Sequence, residues 1–496
     1  MNYGFIIDNR KCIGCHACTV ACKTENHVPL GVNRTWVKYV EKGRFPNTRR
    51  YFQVTRCNHC TDPPCVEICP VSAMFKRKDG IVDFDSDACI GCKACMQACP
   101  YDAIYIDPER HTAAKCNYCA HRTEVGLEPA CVTVCPEQAI VAGDLDLPEG
   151  NLAQLLERNT VRVRRPEKGT QPKLHYIEAE ESAIVPTAAR HEAFYMWSER
   201  NGQVPGGGAA YPADSPLLQN DVLAAYDVAH ARPWAWQVPA YLWLKSIASA
   251  PLALPAVAVA LGKLPPSALR DAALAIVALV FTALTMVMLV WDLDRKDRFL
   301  RIMLRPQMRS WLARGAFILM GYGGLCGLML LAALAGWARV SAILVWPTIL
   351  GGFFAAVYTA FLFGQCKGRD LWQTPLLPLH LIVQALLSGA VVLAFLPEAR
   401  PVAVAGLSVC LALHMLIVFG EFGMPHATVN ARYAARLITH GQYRLPFWLG
   451  AVVVGGVVPG VLLAMGAAGI AGLFALAGLL IFEWCFIMAG QSVPNS

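Results

Sequence analysis

The 496-residue chain changes character along its length, because cysteine and charge are concentrated early and apolar residues dominate the second half. A chain of this length accommodates two or three domains. Much of the net charge of +7 falls in loops that flank apolar runs, and no part of the pattern predicts a nucleic-acid partner.

The first eight residues, Met1–Asp8, predict a short strand that leads into the first cysteines. They contain no basic stretch, no long apolar run and no twin arginine, which are the marks of export signals. We therefore expect no export signal in this segment.

Sixteen of the twenty cysteines lie in four groups of four in the first third of the chain. The groups are Cys12-x2-Cys15-x2-Cys18-x3-Cys22, Cys57-x2-Cys60-x4-Cys65-x3-Cys69-Pro70, Cys89-x2-Cys92-x2-Cys95-x3-Cys99-Pro100 and Cys116-x2-Cys119-x11-Cys131-x3-Cys135-Pro136. Such spacing is typical of bacterial ferredoxins, in which four thiolates hold each cluster. Disulfide scaffolds do not repeat this pattern, and zinc modules use two pairs of ligands rather than runs of four. The sequence predicts four [4Fe–4S] clusters.

Residues 1–145 are predicted to form a ferredoxin-like α+β domain of two interleaved repeats. Asp79-Gly80 separates two short apolar runs and predicts a two-residue hairpin turn. The expected strands are Tyr3–Ile7, Ala73–Lys76, Ile81–Phe84 and Ala103–Ile106.

Ligand sets follow from the way in which two-cluster ferredoxins exchange cysteines. The fourth cysteine of one run ligates the cluster held by the first three of the other run. The simplest nesting pairs the first group with the fourth and the second group with the third. The predicted sets are Cys12, Cys15, Cys18 and Cys135; Cys116, Cys119, Cys131 and Cys22; Cys57, Cys60, Cys65 and Cys99; and Cys89, Cys92, Cys95 and Cys69.

Residues 146–235 have a different composition. Arg162–Lys168 is basic, and Val204–Gly208 contains a Pro-Gly-Gly-Gly run that favours a flexible break. Two interpretations stay open, a linker and a strap that lies on a partner subunit. We expect a mixture of the two.

Residues 236–496 are predicted to form an all-α bundle of eight transmembrane helices. Each apolar run has roughly 20 residues, the length needed to cross about 30 Å of hydrocarbon. The expected spans are 236–261, 272–291, 315–336, 341–364, 375–396, 402–422, 448–467 and 469–489. The chain is thus a multidomain integral protein of the cytoplasmic (inner) membrane by this prediction.

Loop charge predicts the orientation of the spans. The loops on the side of the cysteine-rich region contain 12 Lys and Arg residues, whereas the opposite loops contain four. By the positive-inside rule, the cysteine-rich domain lies in the cytoplasm. The alternative is that a partner with a twin-arginine signal carries the folded domain outward.

Ionisable side chains inside membrane spans are costly and usually functional. Here they gather in the half of the spans nearest the cysteine-rich region, where they suit a quinone or quinol head group that needs hydrogen bonds and a proton route. The opposite half contains only Ser, Thr and Gln, which disfavours proton pumping. Any one of these residues could instead be an interfacial anchor or an interhelical donor. The candidate quinone-binding residues are Tyr241, Lys245, Asp292, Tyr358, His380, His414 and Glu421.

A haem site is the alternative use of two of these residues. Bis-histidine ligation needs histidines at matched depth, which His380 and His414 would permit. Membrane anchors with haem b usually offer more histidines, and we expect no haem. The remaining cysteines, on different spans, are interpreted as small buried hydrophobes: Cys326, Cys366, Cys410 and Cys485.

Two parts of the chain resemble known families. Residues 1–145, with Asn58-His59-Cys60 and Cys65-x3-Cys69-Pro70, resemble the four-cluster electron-transfer subunit of dimethyl sulfoxide reductase and polysulfide reductase. The second half, with Asp292–Phe299 and Tyr358–Gly364, resembles the eight-helix anchor of the polysulfide reductase type, also found with formate-linked nitrite reductase. In these families the two parts are usually separate chains, whereas here they are fused.

The resemblance implies two partners, a large molybdopterin-containing catalytic subunit and membrane quinone in the lipid bilayer. It implies quinone near Tyr358, near the first span with Tyr241 and Lys245, and near Asp292, with no haem in the anchor. A charged Lys245 departs from the family pattern.

The function predicted from the sequence is therefore that of an electron-transfer and membrane-anchor subunit, in a molybdopterin oxidoreductase of the sulfur-compound or formate class. No primary-substrate site or catalytic dyad is expected in this chain. Two alternatives stay open: a self-contained quinone reductase fed by a soluble donor, and a non-redox assembly scaffold. The cysteine spacing does not identify the substrate, the quinone or the direction of electron flow.

Overall fold

The structure is a computed structural model that describes residues 1–191 and 221–496. The described residues form two compact units. The cysteine-rich unit comprises Met1–Pro233, Gln365–Arg369 and Gln491–Ser496, and the membrane unit comprises Trp234–Gly364 and Asp370–Gly490. The flexible break predicted at residues 204–208 lies outside the described residues.

Short strands build the cysteine-rich unit. Within the described ranges they are β1 Tyr3–Asp8, β2 Thr35–Arg44, β3 Asn47–Arg56, β4 Met74–Lys76, β5 Val82–Phe84, β6 Ile104–Ile106, β7 Ala113–Lys115, β8 Ile140–Asp144, β9 Val161–Arg162, β10 Leu174–Ile177, β11 Arg190–His191 and β12 Val222–Tyr226. They form two four-stranded sheets, β8-β1-β10-β9 and β11-β12-β2-β3, and the hairpins β4-β5 and β6-β7. The four strands predicted from the sequence are confirmed as β1, β4, β5 and β6.

The β4–β5 hairpin has a longer loop than the two residues predicted. The Arg77 amide donates to the Ile81 carbonyl at 2.8 Å, and the Gly80 amide donates to the Arg77 carbonyl at 3.1 Å. Gly80 has a φ of +79°, as the last position of a three-residue hairpin loop requires. The Asp79 carboxylate also accepts from the Ile81 amide at 3.1 Å, which stabilises the wider turn.

Helices in this unit are short and lie next to the cysteine groups. They are α1 Ala17–Glu25, α2 Pro64–Glu67, α3 Ala94–Ala98, α4 Ala120–Thr123, α5 Ala130–Thr133, α6 Asn151–Arg158 and α7 Glu181–Ile184. The main apolar cluster joins Phe5, Val54 and Tyr176 to the side chains of Cys18 and Cys131. The apolar core is therefore continuous with the cysteine sites.

The segment predicted as a linker and strap contributes strands to both four-stranded sheets. β10 pairs in parallel with β1, from Phe5 opposite Leu174 to Asp8 opposite Ile177. β12 pairs antiparallel with β2. The linker part of the prediction missed these strands because their partners lie far away in sequence, where local composition carries no signal. A partner-contacting role stays a prediction.

The membrane unit is helical. Its helices are α8 Gln237–Ser249, α9 Ala253–Ala260, α10 Ala268–Trp291, α11 Arg301–Leu304, α12 Trp311–Leu334, α13 Ala338–Gln365, α14 Leu377–Ala394, α15 Arg400–Gly423, α16 Val429–Thr439, a π-helix Pro446–Val457, α17 Val458–Ala464 and α18 Ala468–Ser492. In the described residues, eight helical segments are long and apolar enough to cross a membrane, which confirms the predicted number.

The first span is broken inside its apolar run, between α8 and α9. Pro251 lies in the break and has no amide hydrogen to continue the helical ladder. The Tyr322 hydroxyl donates to the freed Ala248 carbonyl at 2.5 Å. Gly352 and Gly389 lie so close to the carbonyls at this break that a Cβ on either would collide with them. The break therefore ends α8 within the membrane unit.

Candidate functional site

Cysteines from different sequence groups are brought together in the structure. Each of three cavities is lined by four of them. The lining sets are Cys12, Cys15, Cys18 and Cys135; Cys69, Cys89, Cys92 and Cys95; and Cys22, Cys116, Cys119 and Cys131. The remaining four sulfurs interact electrostatically with one another: Cys57, Cys60, Cys65 and Cys99. These are the four sets that the nested pairing predicts.

The first and third cysteine groups follow the same backbone path. Gly14 and Gly91 occupy equivalent positions in two Cys-Ile-Gly-Cys phrases, with φ of +71° and +69°. His16 and Lys93 follow with φ of +60° each, immediately before α1 and α3. Glycine adopts left-handed backbone without steric cost, so the motif turns its cysteines toward one point.

The cysteine sets fit clusters better than single ions. A single zinc ion would hold its sulfurs within about 4 Å of one another. Among the described residues, no three His, Cys, Asp or Glu side chains are close enough to share one ion. All twenty cysteines are free thiols rather than disulfides. A cluster of four irons, which separates its thiolates more widely, agrees with both observations.

Electrostatics also favour a bound cluster. Burial raises the pKa of Cys18 to about 11 and the pKa of Cys99 to about 12, so isolated thiolates are unfavourable there. Bound metal supplies the positive charge that stabilises a coordinating thiolate. Backbone amides contribute as well, because the Ala73 amide donates to Cys69 Sγ at 3.2 Å and the Ala139 amide donates to Cys135 Sγ at 3.2 Å.

Arg56 is a site residue that the motif search missed. Its side chain is 0% exposed, and Nη1 donates to Cys131 Sγ at 3.0 Å. Nε and Nη2 are buried without a hydrogen-bond partner. The only sequence signal is its position immediately before Cys57, which says nothing about contact with Cys131.

In the membrane unit, the structure brings Lys245 and Tyr358 together. Lys245 is 0% exposed, and its Nζ lies 5.0 Å from the centre of the Tyr358 ring. Nζ donates to the Ala356 carbonyl at 2.9 Å and to Thr359 Oγ1 at 2.6 Å. The Tyr358 ring lies against the backbone of Gly315, where a Cβ would collide with it. α8, α12 and α13 together therefore position the ammonium group.

A second pair consists of His380 on α14 and His414 on α15. His380 Nε2 and His414 Nδ1 are 2.9 Å apart and share a hydrogen bond. The other nitrogen of His380 lies 4.0 Å from the Glu421 carboxylate. This arrangement does not fit a bis-histidine haem, because the iron and porphyrin would have to lie between the two rings.

Two buried carboxyl groups form no hydrogen bond with any residue that the structure describes. Both carboxylate oxygens of Glu421 and of Glu483 are buried without a hydrogen bond. Glu483 also interacts electrostatically with Lys245, and its neighbour Phe482 packs on His380 at 5.1 Å and on His414 at 5.5 Å. Glu483 is therefore a candidate site residue beyond the predicted set.

The other two candidates lie on α8 and at the end of α10. Tyr241 is buried on α8, one turn before Lys245. Asp292 is the half-buried residue that ends α10. A contribution of Tyr241 and Asp292 to a quinone site therefore stays a prediction.

Comparisons with known proteins divide the chain in the same way. The 4Fe-4S dicluster domain matches residues 11–74 and 48–145, and the polysulphide reductase NrfD family matches residues 226–495. A tetrathionate reductase subunit of Salmonella typhimurium is 42% identical over 201 residues, which are 40% of this chain and 80% of that relative. A polysulfide reductase polypeptide of Wolinella succinogenes is 39% identical over 185 residues, 37% of this chain and 97% of that relative. The arsenate respiratory reductase iron-sulfur subunit of a Shewanella species is 36% identical over 227 residues, 36% of this chain and 97% of that relative.

Proposed function

This protein belongs to the polysulphide reductase NrfD family and joins that membrane domain to 4Fe-4S dicluster domains, and from this premise we propose that it carries electrons between a molybdopterin catalytic subunit and membrane quinone. It is an integral membrane protein with iron–sulfur clusters. The observation that carries the proposal is the assembly of all sixteen cysteines into four sets of four.

Each set is proposed to hold one [4Fe–4S] cluster. A cluster supplies a one-electron carrier when bound, and its potential depends on hydrogen bonds to sulfur and on exposure. The protein's own contribution is to fix the thiolates and to exclude water. Cys57, Cys60, Cys65 and Cys99 are all buried, whereas Cys15 is exposed.

The proposed quinone site contains the Lys245 ammonium, Tyr358 and Glu483. An ammonium group has three donors, and two of those of Lys245 go to Ala356 and Thr359. The third can donate to a quinone carbonyl, and the unpartnered Glu483 carboxylate can accept from a quinol hydroxyl. A head group with two polar ends would satisfy buried atoms that otherwise remain unpaired.

Proton exchange is proposed for the second group. Quinone reduction consumes two electrons and two protons, and quinol oxidation releases them. His380 and His414 already share one hydrogen bond, and Glu421 lies beside His380. Histidine and carboxylate groups at such distances can pass protons, which supports a proton-exchange role for His380, His414 and Glu421.

The partner and the orientation also belong to the proposal. Relatives of the cysteine-rich region are subunits of tetrathionate, polysulfide and arsenate reductases, which supports a large catalytic partner. The tetrathionate and polysulfide reductases favour the sulfur-compound class for that partner. The charge asymmetry of 12 against four supports a cytoplasmic position for this region, at the inner membrane.

The first experiment is anaerobic purification from the native membrane, with molybdenum, tungsten and iron measured beside mass spectrometry of the chains that copurify. A large companion with molybdenum or tungsten is expected. Iron alone, with no companion but intact quinone reduction, would replace the proposal with the self-contained reductase.

The quinone site is tested in the same preparation by Lys245→Met and Tyr358→Phe. Each is expected to slow quinone turnover by about tenfold to a hundredfold, because each removes a polar group from the head-group site. Cluster spectra should be unchanged. Unaltered turnover in both variants would place the quinone elsewhere.

A further inference from the structure

Arg56 is a buried cation whose surroundings are sulfur. It ends β3 and lines the cavity that contains Cys22, Cys116, Cys119 and Cys131. The guanidinium stacks over the Phe5 ring at 4.7 Å, which closes one face of it. In the part of the chain that the structure describes, no carboxylate forms an ion pair with Arg56.

The sulfurs around Arg56 come from two cysteine sets. Nη1 donates to Cys131 Sγ at 3.0 Å, and the guanidinium also interacts electrostatically with Cys116. Cys18, a member of the set with Cys12, Cys15 and Cys135, contributes the third sulfur charge. Arg56 therefore lies between two sets rather than within one.

Two of the three guanidinium nitrogens form no hydrogen bond. Nε and Nη2 are buried without a hydrogen-bond partner, although each carries an N–H donor. A buried charge without compensation costs several kcal/mol in general. Sulfur atoms of bound clusters are acceptors of the required kind, so the orphaned donors fit two occupied cluster sites.

The positive charge of Arg56 determines whether the reduction potential of a nearby cluster rises or falls. A cluster that gains one electron becomes one unit more negative, and a nearby fixed positive charge stabilises that form. Arginine remains protonated at all accessible pH values. Hydrogen bonds to cluster sulfur act in the same direction.

We propose that Arg56 raises the reduction potentials of two clusters together. One is held by Cys12, Cys15, Cys18 and Cys135, and the other by Cys22, Cys116, Cys119 and Cys131. The sulfur charges that act most strongly on Arg56 come from these two sets. The inference rests on the cluster sets of the proposed function. It adds that two of the four reduction potentials depend on the same residue, which the cysteine motifs do not show.

The test is a potentiometric titration of the purified complex, followed by electron paramagnetic resonance. Arg56→Gln is expected to lower two of the four one-electron potentials, each by about a tenfold change in its reduction equilibrium, which is ~59 mV. The matched control is Arg77→Gln, which removes the same charge from an arginine paired with Asp79 and Glu124. The control should shift none of the four.

Unchanged potentials in Arg56→Gln, with four clusters present, would overturn the inference and leave the proposed function intact. Fewer than four clusters in the unaltered protein would instead contradict the proposed function. If Arg56→Gln fails to incorporate clusters, Arg56→Met decides. Methionine fills a similar volume without a charge or an N–H donor, so both potentials should fall. No shift in that variant would also overturn the inference.

Discussion

Buried ionisable side chains have different surroundings in the two units. In the cysteine-rich unit, Lys38 Nζ lies 3.7 Å from the Asp227 carboxylate. His230 lies 3.1 Å from Asp227 and 3.3 Å from Asp102. In the membrane unit, the buried oxygens of Glu421 and Glu483 have no hydrogen-bond partner.

The difference separates structural charge from functional charge. A buried ion that is paired contributes to the fold, whereas an unpaired one costs free energy that a ligand can recover. Arg56 supports this distinction, since this buried cation of the cysteine-rich unit faces two cysteine sets rather than a carboxylate. Each of the following changes tests one side of the comparison.

The largest effect is expected from Cys57→Ser. Serine is a far weaker ligand for cluster iron than a thiolate, so one carrier should be lost and quinone reduction should fall to background. The assembled complex should remain, as size-exclusion chromatography would detect. Unchanged turnover would contradict both redox functions and favour the assembly scaffold.

A smaller loss, about a hundredfold in quinone turnover, is expected for Glu483→Gln. The amide keeps the shape of the side chain but cannot exchange a proton, and positioned acids and bases contribute about 10²–10⁴-fold. Redox-difference infrared spectra should lose a carboxyl band in this variant. Glu398→Gln, at a half-exposed position, is the control with full turnover. Normal turnover in Glu483→Gln would assign Glu483 a structural role.

The ion pairs of His230 predict that the stability of the cysteine-rich unit depends on pH. Burial alone would lower the pKa of His230, but Asp227 and Asp102 outweigh it and raise the pKa to about 9. A protonated His230 therefore stabilises the folded unit fully below its unfolded pKa of about 6.5, and this contribution is lost as the pH rises through 9.

His230→Gln should accordingly lower the stability by on the order of 2 kcal/mol at pH 6, allowing for solvent screening, and by little at pH 10. The measurement is the unfolding temperature of the solubilised complex across this range. A gap between the two proteins that does not change with pH would exclude the ion-pair explanation.

Much of the architecture could be predicted from the sequence because its signals are local. Cysteine spacing identifies the cluster-binding region, and the hydropathy of runs of about 20 residues identifies eight spans. The nested pairing also agrees with the four cysteine sets of the structure. The exchange of the fourth cysteine between two motifs can be applied to the sequence alone, because both motifs are visible there. Even the position of Lys245 within a span is visible in the sequence.

Only the tertiary structure decided which side chains meet. The contact of Arg56 with Cys131 spans 75 residues, and the strand pair β1–β10 joins segments of which one was predicted to be a linker. The hydrogen bond between His380 and His414 depends on how two helices are rotated, which hydropathy does not encode. Local chemistry thus determined the class of cofactor and the number of apolar spans. Packing between residues distant in sequence determined which charges are paired and which remain available to a ligand.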